Sequence, residues 1–303
     1  MTPTVATGGA TSENTGERLR IAGALFAVYV IWGSTYYAMH VALAFLPPFL
    51  MAGSRFIAAG VLLLAMLRWR GAPLPTVKQW AAAGVVGVLL LVCGNGFVAM
   101  AQRSVDTGVA ATVVATMPLW TAAIGAFWGD KPTARELVGL AAGFAGVAVL
   151  QHGGSLAFHR LDSLVLLLAP ITWAFGSHLS RRLPVPPGPM ASAAQMIVGG
   201  VVMILIAALR GDRPIGPPTF SSVAALLYLV FFGSIIAFSA YGYLLRTTRP
   251  AIATSYAYVN PLVALALGAL LAGEPFTGTK LVACLLTIAG VLVVSAPRLR
   301  PRT

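Results

Sequence analysis

The chain has 303 residues, of which 58% are hydrophobic and only 9% charged; its formal net charge is +12 and its mean hydropathy +0.86. A water-soluble domain carries about a quarter of its residues as charges, so a soluble globule is excluded and lipid is the solvent that fits. The basic excess does not signal nucleic acid, because Lys and Arg are scattered in ones and twos between apolar runs and form no basic face.

In hydrocarbon, backbone groups must be hydrogen-bonded internally, which leaves helices or closed barrels. The apolar runs are about 20 residues long and lack the alternation of barrel strands. The expected fold class is therefore an all-α integral membrane protein. Residues 1–17 are polar and rich in Gly, Thr and Ser, and read as a disordered cytoplasmic tail. Arg18 and Arg20 then precede an apolar run too long for a signal peptide, so it is kept as an uncleaved span. Ten transmembrane helices are predicted, at 21–41, 48–67, 80–101, 107–127, 136–151, 162–180, 190–209, 222–245, 251–272 and 280–296, followed by a basic tail at 298–303. Lys and Arg divide fourteen to five between alternate ends of these spans, with Arg55 inside one. The positive-inside rule then predicts that both termini are cytoplasmic.

The sequence echoes itself. Pro47-Pro48 at span 2 matches Pro186-Pro187 at span 7, and Trp32 in span 1 matches Trp173 in span 6. Met117-Pro118-Leu119 matches Asn260-Pro261-Leu262, and Ala145-Gly146-Val147 matches Ala289-Gly290-Val291. The offset stays between 139 and 144 residues, the mark of one duplication, which divides the chain into repeats at 18–152 and 160–297. Five spans per repeat, an odd number, set the second repeat upside down relative to the first. Inverted repeats of this kind support alternating access in secondary transporters.

These residues also carry a resemblance. Trp32-Gly33-Ser34 with Tyr36, Arg55-Phe56, Met117-Pro118-Leu119, Thr172-Trp173-Ala174, Pro261-Leu262 with Gly273-Glu274-Pro275, and Ala289-Gly290-Val291 occur in the order found in the drug/metabolite transporter superfamily. The chain resembles its ten-span type with two EamA domains, over nearly its whole length after the tail. The resemblance implies export or exchange of small metabolites, with bacterial amino-acid exporters among the look-alikes, and a bacterial inner-membrane location. One departure is Asp130-Lys131-Pro132, where an acidic residue like Glu274 usually precedes the proline; Glu274 is therefore given a structural role only.

Matched prolines in repeat transporters mark bent helices near the substrate site, which makes Pro118 and Pro261 the expected hinges. Around them the candidate cavity residues are Trp32 and Tyr36 in span 1, Asn95 in span 3, and Thr112, Thr116 and Met117 in span 4. Trp173, Ser177 and His178 in span 6, Tyr241 in span 8, and Tyr256 and Asn260 in span 9 complete the set. Each has a structural alternative: Ser and Thr bond their own helix backbone, Asn ties helices together, and His178, near a span end, is hydrated there. Arg55 lies about seven residues inside span 2, and an intramembrane charge is a functional hypothesis by default. It is expected either to hold a substrate carboxylate, or to brace the halves or snorkel outward.

No Asp, Glu or Lys falls at mid-span, no phosphate-binding loop offers ATP hydrolysis, and no aspartate-rich motif suits Mg²⁺. The expectation is a carrier and not an enzyme, without cofactor, moving neutral or zwitterionic metabolites, amino acids first, by alternating access. Amphipathic drug-like compounds are the alternative solute, and an intramembrane lipid-modifying enzyme or a channel the rival class. The expected partners are the solute, membrane lipid and a second copy through peripheral helices, with no nucleic acid.

Overall fold

The computed structural model describes residues 9–127, 133–152, 161–248, 250–253 and 255–295, and every regular element among them is helical. Ten rods follow one another among the described residues. α1 runs through Gly9–Phe26, a π-helical Ala27–Ile31 and Trp32–Leu43. α2 is Pro48–Trp69, and α3 joins Val77–Gly87, a π-helical Val88–Gly96 and Phe97–Ala101. α4 is split into Thr107–Val114 and Met117–Phe127; α5 is Ala134–His152, α6 Leu161–Ser180 and α7 Pro189–Leu209. α8 joins Phe220–Tyr228, a π-helical Leu229–Ile236 and Ala237–Thr247. α9 consists of Pro250–Ala253 and Tyr256–Leu271, and α10 is Gly278–Ser295.

Seven of these helices are long and apolar enough to cross a bilayer. The apolar stretches of α5, α9 and α10, at Leu137–Leu150, Val259–Leu271 and Gly278–Val293, fall short of that length. At the N-terminus the described helix covers Gly9–Phe26, and so includes part of the segment read from sequence as a tail. Once the apolar turns of α1 have nucleated the helix, adding polar turns upstream costs little.

Helix starts follow the sequence. Thr76 and Gln79 form a capping box at the head of α3, and Thr219 and Ser222 form one at the head of α8. Pro48 and Pro189 open α2 and α7, where a missing N–H is harmless. The π segments of α3 and α8 begin at Val88 and Leu229, which keeps the spacing of the sequence echo.

Packing is closest where glycines face each other. α2 lies along α7, and α5 along α10. A Cβ built on Gly60 would stand 3.0 Å from the Ala193 carbonyl oxygen, and one on Gly200 would stand 3.0 Å from the Gly53 oxygen. One built on Gly290 would fall 2.5 Å from the Gly139 oxygen and 2.5 Å from the Gly143 nitrogen. Small residues let helix backbones in lipid approach this closely. α4 packs on α9; α6 contacts α3 and α4, while α1 contacts α8 and α9.

Because Gly290 meets backbone and not a flexible side chain, Gly290→Leu must push α5 and α10 apart, at a cost of about 3 kcal/mol or more. A lowered thermal unfolding midpoint in detergent is expected. Gly278→Leu, at a position with open space around it, should leave the midpoint unchanged.

Candidate functional site: an aromatic cavity among the helices

The central cavity is walled by α1, α2, α3, α4, α6, α8 and α9, with nothing from α5 or α10 among the described residues. Two of the three π segments border it, through Leu91, Gly94 and Asn95 and through Gly233, and Trp32 directly follows the third. Such segments widen a helix by one residue per turn and recur at functional sites. The free space is narrow, about 50 Å³, against the few hundred Å³ of a typical ligand site.

Trp32 is the hub of the apolar wall. Its ring meets Trp173 edge-on at 5.7 Å and Tyr256 at 5.1 Å, and lies tilted against Tyr241 at 5.1 Å and Phe238 at 6.4 Å. Each such pair contributes about 0.5–1.5 kcal/mol beyond burial. The Trp32 Nε1–H donates to the Gly233 carbonyl at 3.1 Å, so one side chain ties α1 to the π segment of α8. Trp173 packs against Gly94, where a Cβ would stand 2.7 Å from the ring.

Arg55 supplies the charge. It is 2% exposed, and its Nε–H donates to Ser234 Oγ at 2.7 Å; that hydroxyl in turn donates to the Leu229 carbonyl at 2.9 Å. Its Nη1 has no hydrogen-bond partner among the described residues, and no Asp or Glu stands in the cavity wall. An uncompensated cation in a membrane interior costs roughly 3 kcal/mol or more. The bond to Ser234 excludes a guanidinium that snorkels outward.

The sequence-predicted residues separate into those that meet here and those that do not. Trp32, Tyr36, Arg55, Asn95, Trp173, Tyr256 and Asn260 line the cavity. Asn260 also binds helices: with its amide turned so that the nitrogen faces acceptors, it donates to Val28 and Tyr29 carbonyls of α1's π segment at 3.3 and 3.0 Å. Thr112 and Thr116 lie outside the wall, their hydroxyls donating to Gly108 and Val113 carbonyls of their own helix. Met117 is fully buried in packing. Tyr241 joins the aromatic cluster but faces a second space, and Ser177 bonds its hydroxyl at 3.1 Å. His178 Nε2 lies 3.1 Å from the Thr121 carbonyl oxygen. Pro118 follows a real break in α4 at Ala115–Thr116, whereas Pro261 sits within an unbroken turn of α9 whose interruption lies upstream.

Several wall residues were not singled out from sequence: Thr35 and Met39, which continue the Trp32–Tyr36 stripe by helical spacing, Phe56 beside Arg55, Phe238, and the bare backbone of Gly94 and Gly233. The stripe was available as an i, i+3, i+4, i+7 pattern; the π segments gave no sequence signal.

A second space of about 540 Å³ opens at the C-terminal end of α6, between α6, α7 and α8, with Phe238 common to both spaces. The other end of α6 is tied down. Ser104 Oγ donates to Asp162 at 3.0 Å, Glu274 accepts from the Thr107 N–H at 2.8 Å and hydroxyl at 3.0 Å, and Lys280 pairs with Asp106. Glu274 thus completes the N-terminus of α4; Asp130, its counterpart in the first half, lies outside the described residues.

Two apolar five-rod sets around a polar-spotted aromatic cavity match what known proteins offer. The sequence pattern of the EamA-like transporter family fits residues 20–151 and again 161–296. The chain belongs to this family. It is 44% identical over 280 residues to the uncharacterized inner membrane transporter YedA of Escherichia coli (strain K12), an alignment covering 92% of each chain. It is 24% identical over 280 residues to the probable amino-acid metabolite efflux pump of Salmonella typhimurium, covering 88% of this chain and 91% of that one. A solved crystal structure at 20% identity superposes over 89% of this chain and 94% of its own with a TM-score of 0.63, a likeness of fold.

In this EamA-like chain, the Asn260 amide adds a side-chain donor to two carbonyls of α1's π segment, and a buried hydrogen bond of this kind contributes about 1 kcal/mol. Asn260→Leu should therefore loosen α1 locally. Hydrogen exchange at Ala27–Ile31 and the following turn should speed up, while the α5–α10 pair keeps its protection.

Proposed function

We propose that the protein is a secondary transporter of the bacterial inner membrane that moves small neutral or zwitterionic metabolites, amino acids first, by alternating access between two inverted five-helix repeats. The observation that carries this reading is the central cavity: aromatic, with Arg55 and Asn95 in its wall, and lying where the two halves of the chain meet. A few polar groups in an apolar pocket are what orients a small ligand. The double family match, the paired capping boxes, and the equal spacing of the π segments in α3 and α8 support the repeats. So does the pairing of rods, in which α1 stands to α8 and α9 as α6 stands to α3 and α4. In this reading all ten rods cross the membrane and both termini are cytoplasmic, as the fourteen-to-five division of Lys and Arg favours.

The second space, at the C-terminal end of α6, is then a vestibule open to the cytoplasm, and the Glu274 and Lys280–Asp106 ties close the periplasmic end. The Ser177–Tyr241 pair stands between vestibule and cavity as the inner gate, and Tyr36, whose carbonyl accepts from Gln102 at 3.0 Å, belongs to the outer one. The solute gradient drives net flux, since among the described residues no carboxylate lines the path to carry a coupled proton. Chemistry on a lipid would need clustered acidic, His or Cys side chains, and none of three or more occurs among the described residues. The aromatic wall keeps an amphipathic drug-like solute as the second reading.

Counter-flow in proteoliposomes over an amino-acid panel is the test. Exchange of at least one radiolabelled amino acid, saturable and unaltered by an imposed pH difference, is expected. Accumulation that follows the pH difference would make it a proton-coupled carrier, and leakage without counter-flow would make it a channel. Alkaline phosphatase fused after Thr303 should be inactive and a fluorescent protein active; the reverse would overturn the topology.

A further inference from the structure

One charged group in the cavity has no counterpart. Arg55 Nε is held by Ser234, which donates its own proton to Leu229 and so offers no negative charge. The guanidinium carbon stands 4.6 Å from the Phe56 ring, a neutral face. Gly233 makes room on another side: a Cβ there would lie 3.2 Å from Nη2. Nη1 remains without a partner among the described residues, in a wall that has no carboxylate. Asn95, whose Oδ1 is likewise unpartnered, is a neutral amide that can meet a donor or an acceptor and so adds no preference of sign.

The vestibule carries the same sign. Arg181 and Arg246 line it among neutral groups such as Ser192 and Gln195, again with no Asp or Glu in its wall. Arg181 donates to the Leu245 carbonyl at 3.1 Å, a bond that leaves its charge uncompensated. From vestibule to cavity the fixed charges are therefore all positive among the described residues, and a low-dielectric passage focuses such a field.

We infer that the solute itself provides the missing counter-charge: a carboxylate bound at Arg55 is the obligatory recognition element, and an ammonium group on the solute is dispensable. This rests on the transport reading and changes its substrate class: neutral solutes drop out, and apolar monocarboxylates join the zwitterions that contain the same group. A carboxylate meeting a desolvated guanidinium forms a charge-assisted hydrogen bond, stronger than a neutral one. A cationic amine meets the same field as repulsion, and finds only the Asn95 amide and ring faces such as Trp32 for compensation. Ser234 is a positioning residue that aims the guanidinium and leaves its charge unchanged.

The test uses the full-length protein in detergent and three ligands that share one ring: L-phenylalanine, 3-phenylpropionate and 2-phenylethylamine. Binding is read by intrinsic tryptophan fluorescence, with Trp32 and Trp173 as the reporters, and by thermal unfolding. Both carboxylates are expected to half-saturate at concentrations about tenfold or more below the amine. Arg55→Gln should erase that difference, and Arg55→Lys should keep part of it. Ser234→Ala should weaken both carboxylates while preserving their lead over the amine. If Arg55→Gln fails to fold, as judged by size-exclusion chromatography, the wild-type ranking decides alone. An amine that binds as well as the acids, a carboxylate preference that survives Arg55→Gln, or no binding by any of the three overturns the inference. Counter-flow keeps the two readings apart: exchange without carboxylate preference sinks this inference alone, and carboxylate-selective binding without exchange sinks the carrier.

Discussion

Hydrocarbon offers no water to a carbonyl that leaves the regular helical ladder, and that rule organises the centre of this molecule. Three rods contain π-helical segments among the described residues, and side chains bond the backbone of two of them, those of α1 and α8. Ser234 takes the Leu229 carbonyl, Trp32 takes Gly233, and Asn260 takes Val28 and Tyr29. Two of these three reach across to another rod, so the groups that satisfy the backbone also bolt α1 to α8 and α9. The polar residues around the cavity have a structural duty before they have any other.

Aromatic packing and buried charge then work against each other in a small volume. The ring cluster around Trp32 stabilises the closed arrangement by several contacts of about 1 kcal/mol each. The unneutralised Arg55 opposes it by a comparable or larger amount. A wall that is tight and yet carries an unmet cation is poised to gain from an anion, which brings both the missing charge and a reason for the rings to part. That balance explains why the cavity is narrow here while the neighbouring vestibule is wide. It also explains why Arg55 is held by a hydroxyl: a carboxylate in place of Ser234 would satisfy the guanidinium permanently and leave nothing for a ligand to supply.

Much of this was readable in advance, for reasons that differ by residue. Helix type follows from apolar run length, because lipid removes the alternatives, and seven of the predicted runs are helices long enough to span. Trp32 and Trp173 stood out through the sequence echo, and Arg55 because charge inside a span is rare. Thr112 and Thr116 carried the same polar-stripe signal as Trp32 and Tyr36, yet their hydroxyls are absorbed by carbonyls of their own helix. Sequence gives the presence of a hydroxyl and not which of two acceptors it chooses. The π segments were invisible, since an added residue per turn is a property of packing and has no compositional mark. Pro118 and Pro261 looked equivalent, but only α4 breaks beside its proline. In α9 the proline ring is accommodated within a turn whose Asn260 already bonds outside its own helix.

The two ends of the rods are held by different forces, and this bears on how the molecule can move. At the end where α6 begins, charged groups clasp: Glu274 on the first turn of α4, Lys280 on Asp106, and Ser104 on Asp162. At the end where α6 finishes, the vestibule separates α6 from α7 and α8, and the ties across it involve no ion pair among those seen: Ser177 bonds Tyr241, and Arg181 donates to the Leu245 carbonyl. Ties near water exchange readily for hydration, so an exposed ion pair is worth little when it opens. The Lys280 amine, however, is 5% exposed, and breaking a buried pair leaves a desolvated charge behind. On the transport reading, opening the clasped end is therefore the costly half of the cycle. The gain that offsets it has to come from the cavity, where the solute's carboxylate meets Arg55.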